Sequence, residues 1–184
     1  MTFPKEHYPI VKALVNEGRF LLEGEAAFLC LREEQDFYQA FFWESFRLRL
    51  VVETEYALLQ TNRDTDNLAR AICIFLAVFC YELDHTSDNL LESLAFGTFS
   101  IEEWDERFEQ SAYQYVLEAT DHLRNRTQRR RFYQTLQRRS IIHLLDEDNF
   151  QFTPAHRYFL DFARDLNMRG LLQADEQGGD VGGV

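Results

Sequence analysis

The strongest structural signature of the chain lies in residues 127–153, which read TQRRRFYQTLQRRSIIHLLDEDNFQFT. Phe132 and Leu136 recur at the spacing of one helical face and predict a helix over Thr127–Arg139. Tyr133 is a further candidate for the buried face. A hairpin is predicted to follow, formed by Ile141–Leu145, the polar turn 146–149 and Phe150–Phe152. A helix that leads directly into a hairpin is the outline of a winged-helix domain.

The N-terminal part of the chain predicts the same order of elements. Apolar residues at helical spacing are followed by glycines, and two β-prone runs close the segment. The elements are a helix over Tyr8–Asn16, a short run Phe20–Leu22, one or two helices within Glu25–Phe46, and a hairpin of Leu48–Glu53 and Tyr56–Thr61. Helices followed by a hairpin therefore occur twice.

Further helices are predicted around the second hairpin. They are a long helix through Leu83 capped by Asp64 or Asp66, a short helix to Phe108 opened by the capping box Ser100-Ile-Glu-Glu103, a helix over Ala112–Leu123, and a last helix from Thr153 to about Leu166. We predict a mainly α fold with small β wings, arranged as tandem winged-helix domains. The expected domains are residues 1–62 and 63–170, and a flexible acidic, glycine-rich tail over 171–184.

Residues 124–139 carry a charge opposite to that of the rest of the chain. Seven of these sixteen residues are arginine and none is acidic, whereas the remaining 168 residues contain twelve basic and thirty-one acidic side chains. A basic surface on an acidic body predicts a polyanionic partner such as DNA. The alternative is a solvated helix face that balances local acids. The predicted phosphate contacts are Arg124, Arg126, Arg129, Arg130, Arg131, Arg138 and Arg139.

Composition favours a cytoplasmic protein that is not an enzyme. The longest apolar run, Ala71–Tyr81, has eleven residues, whereas a membrane span needs about twenty. No secretory leader is expected, and Cys30, Cys73 and Cys80 are predicted to be reduced, buried thiols. The sequence contains neither a phosphate-cradling glycine loop nor a hydrolase motif, so we expect no catalytic residues and no cofactor.

Two groups of residues have the spacing of metal ligands. Glu82 and His85 resemble half of a di-iron site, but the second pair that such a site requires is missing from the sequence. Glu118, Asp121 and His122 place two carboxylates near an imidazole without further ligands. We expect a helix-end cap at His85, surface charge pairing in the second group, and no metal site.

The aromatic residues of 37–46 exceed what one small helix buries against a single wing. Part of this surface is therefore predicted to contact a partner, with Phe42 and Trp43 as candidate anchors. A domain core is the alternative explanation for most of these residues.

Three stretches carry a resemblance to a known family. They are Asn16-Glu-Gly-Arg19 with the aromatic helices and the wing Leu48–Thr61, the apolar helix Leu68–Leu83 followed by Thr98-Phe-Ser-Ile-Glu-Glu103, and Leu136-Gln-Arg-Arg139 running into Ile141–Leu145 and Phe150-Gln-Phe-Thr153. In these stretches the chain resembles the MukE and MksE family, small accessory subunits of bacterial condensins. Its length favours the MksE-like branch.

The resemblance implies tandem winged helices that form a homodimer and bind a kleisin subunit, which joins the heads of an SMC-like ATPase. It also implies a cytoplasmic, nucleoid-associated protein that takes part either in chromosome organisation and segregation or in plasmid defence. Sequence-independent DNA binding is the expectation for the arginines. Two alternatives stay open at this point. A winged-helix transcriptional regulator would read base edges, and a scaffold would use the arginines to bind an acidic protein segment.

Overall fold

The computed structural model describes residues 3–60, 67–86 and 89–162 of the 184-residue chain. In the N-terminal half, helices precede and follow a short strand, and a hairpin closes the half. In chain order the elements are α1 (His7–Val11), which continues as a π-helical segment over Lys12–Asn16, then β1 (Leu21–Leu22), α2 (Ala26–Glu33), α3 (Gln35–Phe46), β2 (Arg49–Val52) and β3 (Tyr56–Gln60). Every element predicted for this half is present.

The C-terminal half repeats this order with additional helices. Its elements are α4 (Asn67–Asp84), α5 (Leu90–Phe96), β4 (Phe99–Ser100), α6 (Ile101–Gln110), α7 (Gln114–Glu118), α8 (Arg126–Arg138), β5 (Ile142–Leu144) and β6 (Asn149–Phe152). Residues 156–162 are helical. Among the described helices, none has the length and apolar character needed to cross a bilayer.

Each half contains a three-stranded antiparallel sheet with the same strand order. The orders are β1-β3-β2 and β4-β6-β5, so the second strand of each hairpin lies in the centre. This central strand also pairs with the short first strand of its sheet. Leu21 of β1 lies opposite Ala57 of β3, and Phe99 of β4 lies opposite Phe150 of β6. These small sheets beside many helices confirm the predicted mainly α fold with small β wings.

Two predicted helix starts are confirmed by their caps. The Ser100 hydroxyl accepts a hydrogen bond from the Glu103 N–H at 3.4 Å, and the Thr153 hydroxyl accepts one from the Ala155 N–H at 3.3 Å. Both side chains satisfy amides that have no partner within the first helical turn.

Apolar residues form two clusters. One lies in the N-terminal half, where Tyr38 and Phe42 of α3 are fully buried. The other fills the C-terminal half, where the rings of Phe79 and Trp104 stack with centroids 3.5 Å apart. Phe20 from the N-terminal half belongs to this second cluster, so the second cluster joins the two halves.

The C-terminal end of α8 also contacts the N-terminal half through polar groups. Arg139 Nη1 donates a hydrogen bond to the Gly18 carbonyl at 2.7 Å, and the Phe20 N–H donates one to the Arg139 carbonyl at 3.0 Å. Gly18 has a φ of 55°, and a Cβ added there would collide with the Arg139 guanidinium. Arg157 forms an ion pair with Glu55 across the same boundary. The two halves are thus held together by hydrogen bonds, an ion pair and shared apolar packing.

The predicted helix over Ala112–Leu123 is wrong, because only Gln114–Glu118 is helical. Leu117 and Leu123 are both buried, and residues six apart lie about 120° apart around a continuous helix. The chain therefore leaves the helix after Glu118 and turns, which allows both leucines to reach the core.

Helix α5 is absent from the sequence-based prediction. Its start is capped by Asn89, whose side-chain oxygen accepts a hydrogen bond from the Glu92 N–H at 3.2 Å. Leu94 is buried, but Leu91 and Phe96 are largely exposed. The helix consequently lacks the one-sided apolar pattern on which the prediction depends.

Some predictions fall outside the described residues. They concern the caps Asp64 and Asp66, the helix end near Leu166, and the tail 171–184. The predicted domain boundary between residues 62 and 63 also lies outside the described residues, so the division into two winged-helix domains stays a prediction.

Candidate functional site

Helix α8 presents the arginine-rich segment on a well-anchored scaffold. Its N-cap Asn125 accepts a hydrogen bond from the Gln128 N–H at 3.0 Å. Phe132, Tyr133 and Leu136 are buried, as predicted, and fix one side of the helix against the second apolar cluster. Because the seven arginines are distributed around and beyond the helix, their surroundings differ.

Arg129 lies in the core. Only 3 % of the residue is exposed, and its Nε donates to Asp105 of α6 at 2.5 Å. Nη1 donates to the Leu123 carbonyl at 3.2 Å and Nη2 to Glu109 at 3.3 Å. The prediction that Arg129 contacts DNA is therefore wrong, because its guanidinium is enclosed by protein acceptors.

The position of Asp105 in the sequence could have revealed this pair. Asp105 occurs among Ile101, Trp104 and Phe108, which form one face of α6. Arg129 likewise lies on the face of α8 that carries the buried Phe132, Tyr133 and Leu136. Opposite charges on the apolar faces of two helices indicate a buried ion pair, because a lone buried charge is strongly unfavourable.

Arg126 is held by a bidentate ion pair on the surface. Its Nε and Nη2 donate to the two carboxylate oxygens of Glu109 at 2.7 and 2.6 Å. The hydrogen bonds from Arg126 keep the pKa of Glu109 below its ordinary value. Glu109 therefore joins α6 to the first turn of α8 from outside, next to the buried pair.

Two further arginines have single carboxylate partners. Arg124 donates to Asp121 at 2.7 Å, and Arg130 donates to Asp148 of the β5–β6 turn at 3.0 Å. All four side chains are about half exposed or more. Exposed pairs of this kind stabilise a protein by only about 0–1 kcal/mol, so little free energy opposes their separation.

Arg131 and Arg138 form the exposed basic face of α8. They lie seven residues apart, so their side chains share one face two turns apart. Arg138 donates to the Thr135 hydroxyl at 3.0 Å, and neither arginine has a carboxylate partner among the described residues.

The exposed positive charge of the segment is smaller than its sequence suggests. Four carboxylates, those of Asp105, Glu109, Asp121 and Asp148, pair with arginines of this segment. Arg139 has no carboxylate partner in the described structure but is half-buried against Gly18. Arg139 therefore also joins the two halves, and its phosphate contact stays a prediction.

The aromatic residues of α3 also differ in their exposure to solvent. Phe42 is fully buried, so its prediction as a partner-binding anchor is wrong. Trp43 is 50 % exposed, and the Arg47 guanidinium lies 5.7 Å from its ring centroid. Phe46 is also partly exposed on the same helix. Trp43 is thus accessible to a partner, whereas Phe42 holds α3 in the core.

The spacing of metal ligands at Glu82 and His85 has a structural explanation. Glu82 accepts a hydrogen bond from the Ser111 hydroxyl, and His85 Nδ1 lies 2.7 Å from the Tyr81 carbonyl at the helix end. In the part of the chain that the structure describes, no cluster of three or more His, Cys, Asp or Glu side chains could hold a metal ion.

The three cysteines are unpaired thiols. Burial raises the pKa of Cys73, and it raises the pKa of Cys80 to about 11. Both thiols are therefore protonated at neutral pH, which makes them poor nucleophiles.

A comparison with known protein families identifies the family of the chain. The family model of condensin complex protein MksE matches residues 5–164, which cover most of the chain and both halves of the fold. This chain belongs to the MksE family. It is accordingly an accessory subunit of a condensin complex, whose partners belong to an assembly of an SMC protein and a kleisin. No curated protein sequence matches the chain significantly.

Proposed function

We propose that the chain is a non-catalytic condensin subunit that binds the kleisin and, through it, joins the SMC-like ATPase. The family match over residues 5–164 carries this proposal. To test it, the chain is co-expressed with the kleisin and the ATPase encoded in the same genome and purified through a tag on the kleisin. Co-purification of the untagged chain through size exclusion is expected. Its absence from the purified complex would contradict the proposal.

Trp43 is the proposed anchor for a protein partner. Its exposed indole offers a large apolar area with few rotatable bonds, and such side chains dominate binding energy at interfaces. The kleisin is the proposed partner for this surface. A homodimer is also proposed, and light scattering of the purified chain measures it directly.

DNA contact is proposed for the exposed part of α8. Arg131 and Arg138 would bind phosphate directly, while Arg124, Arg126 and Arg130 can exchange a surface carboxylate for phosphate. Contacts by Arg131 and Arg138 alone predict a weak, sequence-independent interaction whose affinity depends on salt with a logarithmic slope of about −2. Exchange at the three paired arginines would steepen this slope to about −4.5, and seven phosphate contacts would give about −6. The acidic remainder of the chain would keep DNA away from its other surfaces.

A scaffold that binds an acidic protein segment is the second candidate. It is favoured by the carboxylates that already occupy three exposed arginines, because this surface demonstrably fits carboxylate groups. Binding of a DNA duplex by the assembled complex, and its loss when Arg131 and Arg138 are replaced by glutamine, would favour DNA. An unchanged affinity for DNA with loss of a protein partner would favour the scaffold.

The transcriptional regulator is the remaining alternative. It requires α8 to read base edges and hence a preferred DNA sequence. Equal affinity for unrelated duplexes would exclude it. A cytoplasmic, nucleoid-associated role in chromosome organisation or in plasmid defence is proposed, and the two are distinguished by comparing chromosome segregation and plasmid maintenance in a deletion strain.

A further inference from the structure

A second surface, remote in sequence from α8, combines exposed aromatic rings with acidic residues. Tyr81 lies on the last turn of α4 and His85 directly follows this helix, and their ring centroids are 4.5 Å apart. Tyr113, at the start of α7, packs edge-on against Tyr81 at 4.8 Å. Tyr115 follows on the first turn of α7 and is 68 % exposed. Together with Glu82 and Glu118, these four residues are named the tyrosine patch.

Hydrogen bonds hold the two helices of the tyrosine patch in place. The buried Ser111 hydroxyl donates to Glu82 Oε1 at 2.5 Å and accepts a bond from the Tyr113 N–H at 3.1 Å. This single side chain therefore fixes the end of α4 beside the start of α7. The rings of Tyr81, His85 and Tyr113 contact one another and are pre-positioned, so their ordering would cost little free energy when a partner binds.

The surroundings of the tyrosine patch are acidic. Residues 71–86 contain Glu82 and Asp84 but no lysine or arginine, and residues 109–123 contain Glu118 together with Glu109 and Asp121, which pair with arginines outside this range. In the described structure, no lysine or arginine forms an ion pair with Glu82, Asp84 or Glu118. Glu118 instead accepts a bond from Gln114 at 2.8 Å.

Arg107 and Arg124, the nearest arginines along the chain, do not pair with the carboxylates of the tyrosine patch, although Arg107 bonds Thr86 beside His85. Arg124 donates to the Asp121 carboxylate and to the Glu118 carbonyl, not to the Glu118 carboxylate. Arg107 donates to the Thr86 hydroxyl, and its guanidinium lies 5.2 Å from the Trp104 ring centroid. Among the described residues, the carboxylates of the tyrosine patch thus lack cationic partners, whereas three of the five arginines of α8 are paired with carboxylates.

Tyrosine rings beside unpaired carboxylates match the chemistry of a cationic ligand. The negative face of an aromatic ring attracts guanidinium and ammonium groups. The negatively charged carboxylates attract the same cationic groups. Tyrosine also provides a rigid contact area that is common at protein interfaces. Phosphate, nucleic acid and acidic peptides would instead be repelled.

We propose that the tyrosine patch binds an arginine-rich segment of a partner protein. The patch shares no residue with α8 or with Trp43. Its binding can therefore fail while the proposed contacts to DNA and to the kleisin hold, and the reverse is equally possible.

The test uses the full chain and a fluorescently labelled synthetic peptide in which arginine alternates with glycine and serine. Anisotropy at moderate salt should show binding by the wild-type chain. The double variant Tyr113→Ser/Tyr115→Ser should bind roughly tenfold more weakly, because each exposed cation–π contact accounts for about two- to fivefold in affinity. Circular dichroism and the urea midpoint verify that the variant is folded.

Matched controls separate the tyrosine patch from the general acidity of the chain. Tyr8 is 72 % exposed and lies on α1, so Tyr8→Ser should leave the peptide affinity unchanged. Glu118→Gln should weaken binding, whereas Glu33→Gln on the exposed side of α2 should not. A peptide with glutamate in place of arginine should not bind.

Three results would overturn the proposal. The first is equal affinity of the double variant and the wild type. The second is equal weakening by Tyr8→Ser or Glu33→Gln, which would indicate non-specific attraction. The third is a change in the chain's own mass by light scattering in the double variant, which would make this surface a contact between two copies of the chain.

Discussion

Arg129 of α8 and Asp105 of α6 form an ion pair in which both residues are only 3 % exposed. The pair connects the helix that carries the basic segment to the core of the C-terminal half. Its burial means that one of the seven arginines stabilises the fold and is not available to a ligand.

Replacing Arg129 by glutamine should therefore destabilise the chain. The variant leaves the Asp105 carboxylate buried without its cation, which typically costs about 3–5 kcal/mol in free energy of unfolding. Urea denaturation measures this loss. The double variant Arg129→Met/Asp105→Leu should recover much of the stability, because it leaves no unpaired buried charge. A stable Arg129→Gln variant that loses DNA binding would show that Arg129 is a ligand contact after all.

Arg131 and Arg138 should behave in the opposite way. Because both side chains are exposed, replacing each by glutamine should change stability by less than about 0.5 kcal/mol. Each replacement should make the dependence of DNA affinity on salt less steep by about one logarithmic unit. Arg70→Gln, at an exposed position of α4, is the control and should have no effect. Identical salt dependence of the double variant and the wild type would remove α8 from the DNA-binding surface.

Gly18 should be intolerant of substitution for two reasons. Its φ of 55° disfavours any side chain, and a Cβ there would displace the Arg139 guanidinium. Gly24 is a suitable control, since its φ is 91° and a Cβ would meet no atom within 4 Å. Gly24→Ala should cost about 1 kcal/mol, the backbone term alone, and Gly18→Ala about 2 kcal/mol or more in urea denaturation. Equal losses at the two positions would mean that the Arg139 contact contributes nothing.

Stability should fall in mild acid because of His156. Burial lowers the pKa of His156 below its ordinary value of 6.5, and its Nδ1 lies 2.6 Å from the Thr153 carbonyl. As the pH falls below about 6.5, the unfolded chain binds a proton that the folded chain resists, so stability present above this pH is lost below it.

The measurement compares unfolding free energies at neutral and mildly acidic pH. His156→Gln should lose less stability between the two pH values than the wild type does. His143 is exposed, and His143→Gln should retain the full pH dependence. If His156→Gln also retains it, the pH dependence originates from other groups.

Local patterns in the sequence were sufficient for most of the fold. The strand Asn149–Phe152 alternates partly buried and buried positions, and its Phe150 and Phe152 lie in the core. The face of α8 was likewise readable from the spacing of its apolar residues. The helix over Ala112–Leu123 could not be judged in this way, because the sequence does not reveal that two leucines on different faces must reach the same core.

The surface properties were harder to predict, since they depend on contacts between distant residues. Arg139 and Gly18 are 121 positions apart, and no local pattern pairs them. The aromatic residues of α3 are adjacent in the sequence, so their pattern did not indicate which rings are buried. The tertiary structure shows that Phe42 is buried and that Trp43 is half exposed. A count of arginines therefore overestimated the basic surface, because their acidic partners lie on other elements.

Kleisin binding is the function that we propose for this condensin subunit. Its most direct test is the light-scattering mass of purified chain mixed with the purified kleisin of the same genome, compared with the same mixture containing Trp43→Ala. Tyr8→Ala, at another exposed aromatic position, is the control. We predict a complex with the wild type and the control, and an affinity at least about thirtyfold weaker for Trp43→Ala, as expected when an interface anchor is truncated. The absence of any complex between the wild-type chain and the kleisin at micromolar concentrations would contradict the claim.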